Sequence, residues 1–325
     1  MKKIRENVRS LTAAAAALVL GTSVLTACGG AEQAASGQGA AATEAVKEEA
    51  AATEAATEAA ATEAAATDAT AENAGEESTP VFDNVTLKIG ANVTPHAELL
   101  REAAPVLAAE GITLEVIEIE DAITPNTALA DGSLDANFFQ HVPYLENFNQ
   151  ENGTDLVSIG ATHYEPFGLY AGKSDNIAEI ADGAVIGVPN NVTNEARALL
   201  LLEQEGIITL TEGADITATV EDIVENPHNV DIKEIAPEQL VRSLPDLDFA
   251  IINGNYALEG GLKVKDALAV ESADGVAAQT FKNVVVVRSE DKDNAALQEV
   301  VKVLQSQEIQ DFINNTYDGA VVPVQ

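Results

Sequence analysis

Asp135-Ala-Asn-Phe-Phe-Gln-His-Val-Pro-Tyr144 packs two phenylalanines, a histidine, a proline and a tyrosine into ten residues of a chain that is only 4% aromatic. Phe139, His141 and Tyr144 offer flat apolar walls with polar tips, a lining suited to a small, mostly apolar ligand with one polar end. Ordinary core packing is the simpler reading of Phe138 or Phe139. Upstream, a helical pattern over 125–130 runs into Gly132-Ser-Leu-Asp-Ala136. Downstream, 144–148 reads as helix and Leu156-Val-Ser-Ile-Gly160 as strand.

The same alternation extends in both directions. Thr86-Leu-Lys-Ile-Gly90 reads as a strand, Thr94-Pro95 as a cap with proline at the first helical position, and Leu99, Leu100, Ala103, Val106 and Leu107 as the apolar stripe of a helix ending near Gly111. Pro105 is expected to bend it. Strand patterns follow at 112–119, 168–172, 184–188, 230–235, 249–253 and 283–288, with helices at 194–205, 237–243 and 294–305. Four consecutive leucines, Leu199 to Leu202, imply a helix buried on most sides. Alternating β and α units of this length predict an α/β fold with mainly parallel sheets, in two lobes joined by more than one crossing segment. The expected partition is 83–168 plus 271–325 for one lobe and 169–270 for the other. Ligands in such sheets sit beyond the carboxyl ends of the strands, here in the cleft between lobes.

The first 27 residues have a different character. Lys2, Lys3, Arg5 and Arg9 precede an apolar stretch from Leu11 to Leu25, the layout of a secretory signal too short to span a bilayer. Leu25-Thr26-Ala27-Cys28 resembles the bacterial lipobox, in which cleavage precedes an acylated cysteine. Cys28 is the only cysteine of the chain, so it has no internal disulfide partner. Two or three acyl chains on it would anchor stably. From Cys28 to about residue 82 Ala, Glu and Thr dominate. Between Glu32 and Glu77 eleven acids face a single base, Lys47, and Val46 is the only large aliphatic residue. Such a segment buries too little to fold and predicts a disordered acidic tether whose ends lie about 40 Å apart as a coil.

From Val81 onward, 12 of the 17 bases face 41 of the 53 acids. That balance argues against nucleic acid, which requires a basic face, and against adhesion of the domain itself to anionic lipid. Tryptophan is absent, and no zinc-type cysteine cluster, Gly-x-Ser-x-Gly elbow, Gly-x-Gly-x-x-Gly turn or Walker A loop occurs. An enzyme is therefore not expected, nor a cofactor.

Three polar candidates remain. Arg197 falls in the first turn of the 194–205 helix, where a cation is unfavourable unless an anion joins it. With the free N–H groups of that helix end it would make a carboxylate receptor; an exposed arginine paired with an acid such as Glu195 is an equal alternative. Asn253 ends an apolar strand and could face the cleft, or could simply form the turn before Gly254. Of four histidines, His96, His141 and His163 could face one cleft beside Glu165, which keeps a metal-binding receptor open as an alternative. His228 reads as a surface turn residue.

Together the residues carry a family. Asp135–Leu145, His163-Tyr-Glu-Pro-Phe-Gly-Leu-Tyr170, Val188-Pro-Asn-Asn-Val-Thr-Asn-Glu-Ala-Arg197, Glu225-Asn-Pro-His-Asn229 and Ala250-Ile-Ile-Asn253 before Tyr256-Ala257 resemble, in order and spacing, the methionine-binding lipoproteins of bacterial ABC importers. The resemblance implies a type II periplasmic-binding-protein fold whose two lobes close on the ligand. It implies L-methionine as cargo, with another small amino acid or a short peptide as alternatives. Its partners would be a permease and its ATPase, and its location the extracytoplasmic face of the cell membrane, as a lipid-anchored monomer. By motif, Arg197 would hold the α-carboxylate, and Asn194 and Asn253 the head group. Phe139, His141 and Tyr144 would line the pocket, with His163 and Glu165 on its wall; sulfur–aromatic contacts suit a thioether. The sequence departs from the family at Asn191, Val192 and Phe167, where Asp, Pro and Met are usual.

Overall fold

The computed structural model describes residues 81–272 and 275–324. The expected leader over 1–27, the Cys28 anchor and nearly all of the tether lie outside them. The chain forms β1 (Val85–Ala91), α1 (Glu98–Ala109), β2 (Ile112–Glu118), α2 (Thr124–Ala130), β3 (Ala136–His141), α3 (Val142–Asn152) and β4 (Val157–Tyr164). Glu165-Pro-Phe167 then crosses into β5 (Gly168–Ala171), β6 (Val185–Pro189), α4 (Val192–Gln204), β7 (Thr209–Leu210), β8 (Ile223–Glu225), β9 (Asp231–Ile235), α5 (Leu240–Ser243), β10 (Phe249–Ile252), α6 (Gly254–Glu259) and β11 (Ala269–Val270). After α7 (Val276–Thr280) come β12 (Lys282–Val287), α8 (Ala295–Leu304), α9 (Gln307–Thr316) and β13 (Val322–Pro323).

Six strands form one sheet in the order β13-β4-β12-β3-β1-β2, and five form another in the order β11-β5-β10-β6-β9. Neither is mainly parallel, which corrects the expectation from βα alternation. β1 runs parallel to β2 and β3, but β12 is antiparallel to both β3 and β4, and β13 to β4. In the second sheet β6 is parallel to β9 and β10, while β5 is antiparallel to β10 and to β11. The physical reason is the point of entry. β12 arrives from the second sheet, so it begins at the edge where β3 and β4 end and must run against them.

Both sheets are covered on two faces, and the side-chain alternation of single strands divides the cores. Val285 and Val287 pack with Leu99, Leu100 and Leu107 of α1, Leu297 and Val300 of α8, and Ile309 and Ile313 of α9. Val284 and Val286 face the opposite way, onto Leu129 of α2 and Leu145 and Phe148 of α3. In β10, Phe249 and Ile251 meet the α4 leucines, whereas Ala250 and Ile252 meet Leu240, Leu244 and Tyr256. Each such fully buried large side chain contributes on the order of 1.5–3 kcal/mol. The α4 leucines divide as the helix turns: Leu199, Leu201 and Leu202 are buried and Leu200 is half-buried. Every residue of β3 is buried, the mark of an inner strand with both faces covered. Among the described residues no helix is long and apolar enough to cross a membrane.

Candidate functional site

The carboxyl ends of β1, β3, β6 and β10 converge, and Asn92, His141, Asn191 and Asn253, at or just after those ends, line one pocket. Phe139, Tyr144, Glu165, Phe167, Asn194, Arg197 and Tyr256 complete much of its wall. The space open to the centre of a water-sized sphere is about 40 Å³, against roughly 10–15 Å³ for one water by that measure. A ligand of amino-acid size suits it better than an extended peptide.

His141 shows how local sequence sets the wall. It ends β3 and caps α3: its Nδ1 accepts the Tyr144 backbone N–H at 3.2 Å, which leaves Nε2 to donate to Asn194 Oδ1 at 3.0 Å. The second bond joins the two sheets' regions and fixes the tautomer. Burial, reinforced by the nearby Arg197 charge, lowers the His141 pKa to about 4, so the ring is neutral at pH 7. The Tyr144 hydroxyl donates to the Ala122 carbonyl at 2.7 Å, and its ring stands edge-on to Phe139 at 6.0 Å.

Arg197 differs from expectation in two respects. α4 begins at Val192, so Arg197 is its sixth residue and sits in the second turn, not the first. It is 3% exposed, and its charge is already met. Nε donates to Glu271 Oε1 at 2.8 Å, and Nη2 to Glu271 Oε2 at 2.6 Å and to the Glu165 carbonyl at 2.8 Å. Nη1 is the nitrogen these bonds leave over. The guanidinium carbon lies 3.8 Å from the Phe167 ring centre and 4.6 Å from that of Phe281, a stack that fixes its plane. Burial by itself would lower the Arg197 pKa; the Glu271 carboxylate outweighs burial, and the net shift is upward.

Glu271 also accepts from the Tyr164 hydroxyl at 2.8 Å and the Phe167 backbone N–H at 2.9 Å. Sequence reasoning did not find it. An acid after the short strand Ala269–Val270 carries no motif, and its partner is 74 residues away.

Glu165 is 5% exposed. Its Oε1 accepts from His163 Nε2 at 2.6 Å and lies 3.4 Å from His96 Nε2. Burial pushes its pKa up, but the two imidazoles and the Asn255 backbone N–H outweigh that, and the net shift is downward. Burial lowers the His96 pKa to about 4, so at pH 7 that ring offers Glu165 a dipole rather than a charge. His163 is fully buried and sits behind Glu165 without lining the pocket. His96, His163 and Glu165 place three ligand atoms within 4.8 Å of one another, a spacing a metal ion could bridge. Here His163 Nε2 bonds Glu165, His96 Nε2 makes a 3.0 Å bond with Asn283 Oδ1, and His96 Nδ1 is buried without a partner. His141 stands apart, and His228 is exposed.

The pocket also holds polar atoms without protein partners. Asn253 Oδ1 and Asn191 Oδ1 are buried and unbonded, and each belongs to a lining residue. Such groups cost about 1–3 kcal/mol apiece unless something satisfies them.

Residues 87–325 match the family described as NlpA lipoprotein. The methionine-binding lipoprotein MetQ of Bacillus subtilis (strain 168) is 43% identical over 242 residues, 73% of this chain and 87% of that protein. A lipoprotein of Ruminococcus gnavus ATCC 29149 superposes with a TM-score of 0.73 at 50% identity, over 74% of this chain and 99% of that one. A nutrient binding protein of Burkholderia cenocepacia, solved bound to methionine, gives 0.70 at 40% identity, over 74% and 100%. The chain belongs to the NlpA lipoprotein family.

Proposed function

We propose that this protein captures a free amino acid, best fitted by L-methionine, and delivers it to an ABC importer. In this reading Cys28 carries the acyl chains that hold a monomer at the extracytoplasmic face of the membrane. The two lobes close over the ligand, the permease and its ATPase select the closed form, and no bond is made or broken. Arg197 Nη1 and the Asn194 and Asn253 amides receive the head group. Phe139, Tyr144 and Tyr256 face the thioether, a contact favourable to sulfur. Lobe boundaries at 168 and 271 follow from the same reading, with Glu165–Phe167 and the segment after Glu271 as the crossings.

The observation that carries this reading is convergence. Residues from separate segments line one small chamber, aromatic on part of its wall, in which two buried amide oxygens have no protein partner. The named methionine-binding relative and the methionine-bound structure support it. Calorimetry on the full chain in detergent should show one L-methionine bound per chain. No saturable binding of methionine or of any other proteinogenic amino acid would end the proposal. The His96–His163–Glu165 group keeps a metal receptor as the second reading; methionine binding that survives EDTA unchanged argues against it.

A further inference from the structure

The polar side chains around the chamber divide by wall. On the wall built from α4 and the end of β10, Asn191 Oδ1 and Asn253 Oδ1 are buried without partners among the described residues, and Arg197 Nη1 is the guanidinium nitrogen left over. On the wall built from β3 and the start of α3, the side-chain protons are already given. Tyr144 donates its hydroxyl proton to the Ala122 carbonyl, and His141 donates from Nε2 to Asn194. Gln140, which also lines the chamber, donates both amide protons from Nε2, to Asn126 Oδ1 at 2.6 Å and to Asn137 Oδ1 at 2.8 Å.

Asn126 of α2 and Asn137 of β3 are fully buried, and neither lines the chamber. Asn126 Nδ2 returns a bond to Gln140 Oε1 at 2.9 Å. Asn137 Nδ2 donates to Asn126 Oδ1 at 2.8 Å and to the Pro125 carbonyl at 3.1 Å. The three amides thus close a ring in which turning any one of them over would set oxygen against oxygen. Strand residues separated by an odd number of positions ordinarily face opposite ways. Here β3 advances from Phe138 to Gln140 while β12 moves only from Val285 to Val284, and the bulge at Phe139 turns Asn137 and Gln140 to the same side.

We propose that this amide ring makes the chamber selective for an apolar side chain over an amide of the same shape, with Asn126 and Asn137 as positioning residues that keep the Gln140 amide from the ligand. This rests on the chamber being the amino-acid site, with the head group on the α4 wall and the side chain on the β3 wall. Glutamine is the discriminating ligand, because its side chain has nearly the length and shape of methionine's. Its amide carbonyl would meet no free side-chain donor on the β3 wall and would be buried unpaired. Loss of Asn126 would release one donor and one acceptor of Gln140, the pair that a ligand amide needs.

Calorimetry at pH 7 on the full chain should rank L-methionine and L-norleucine at least about 30-fold above L-glutamine. Asn126→Leu, a change of similar volume, should narrow the methionine-to-glutamine ratio by about tenfold or more. Adding Gln140→Met to that variant removes the released amide and should widen the ratio again toward that of the parent. A role in stability alone would weaken both ligands together and leave the ratio in place. Glutamine within about threefold of methionine on the unmodified chain overturns the proposal, and this measurement needs no variant. An Asn126→Leu chain that binds methionine with the parent ratio overturns it equally. If no amino acid binds, the functional reading has failed; if methionine binds and either overturning result is found, that reading stands and only the selectivity of the amide ring falls.

Discussion

At the Arg197–Glu271 pair charge meets charge, whereas at the Glu165–His96–His163 group a buried carboxylate meets two imidazoles. Both groups lie within the protein at the same chamber. The first settles its desolvation internally: four hydrogen bonds reach the Glu271 carboxylate from Arg197, Tyr164 and Phe167 at 2.9 Å or less. It behaves as a fixed brace that also presents one guanidinium corner to the pocket. The second spreads its hydrogen bonds over several neighbours, His163 to Glu165 at 2.6 Å and His96 to Asn283 at 3.0 Å. Two buried carboxylates can thus stand beside one chamber and be satisfied by different chemistry.

Cutting the brace should have the largest effect. Arg197→Ala leaves Glu271 buried and unpaired, which costs about 3–5 kcal/mol, and methionine binding should vanish with it. Adding Glu271→Gln to an Arg197→Met chain removes the orphaned charge. Stability measured by urea titration should then largely return while binding does not. A single variant that unfolds at the same urea concentration as the parent would show that the pair is not a brace.

Crowding the second group comes next. A Cβ on Gly254 would stand 2.8 Å from the Glu165 Cβ and 3.3 Å from the Pro166 carbonyl oxygen. Gly254→Ala should therefore force the crossing segment aside, costing about 1–3 kcal/mol and weakening ligand binding in parallel. Unaltered affinity and melting temperature would mean that the crossing yields freely.

The third test is pH. His96 and His141 are held near a pKa of about 4, against an ordinary value of 6.5. Between those values the unfolded chain takes up protons that the native chain refuses, so stability falls as pH drops below 6.5 and continues to fall toward 4. The loss is roughly 2 kcal/mol per histidine by pH 5. Glu165, shifted downward, adds its own loss only below the ordinary carboxylate range. Thermal melts of ligand-free protein from pH 8 to pH 5 should show the histidine limb; a flat profile over that interval would remove it.

The smallest effect belongs to a residue outside both groups. Tyr144→Phe gives up one hydrogen bond to the Ala122 carbonyl, about 1 kcal/mol, a loss that urea titration should resolve. An unchanged urea midpoint would show that this bond adds nothing to stability.

Much of this site was legible from local pattern and motif. Seven of the eight residues named from sequence, Phe139, His141, Tyr144, Glu165, Asn194, Arg197 and Asn253, line one pocket. Most were legible because they lie in short motifs around a strand end or the first turns of a helix. His163 was named with them but stands a layer behind, its Nε2 bonded to Glu165, which takes the place at the wall. α9 and the β7–β8 hairpin escaped notice. β3 also went unassigned, because a strand buried on both faces shows no alternation. The antiparallel entry of β12 was hidden for a related reason: four consecutive valines fix a strand but not its direction.

By itself the sequence determined the α/β alternation, the aromatic lining, the acidic balance and the three motifs that meet at the cleft, since periodicity and turn chemistry are properties of neighbours along the chain. Only the tertiary structure decided which charges are matched. Glu271 lies 74 residues from Arg197, and His96 lies 69 from Glu165. How a buried ion is satisfied depends on which side chains packing brings within about 3 Å of it, and no local pattern encodes that distance.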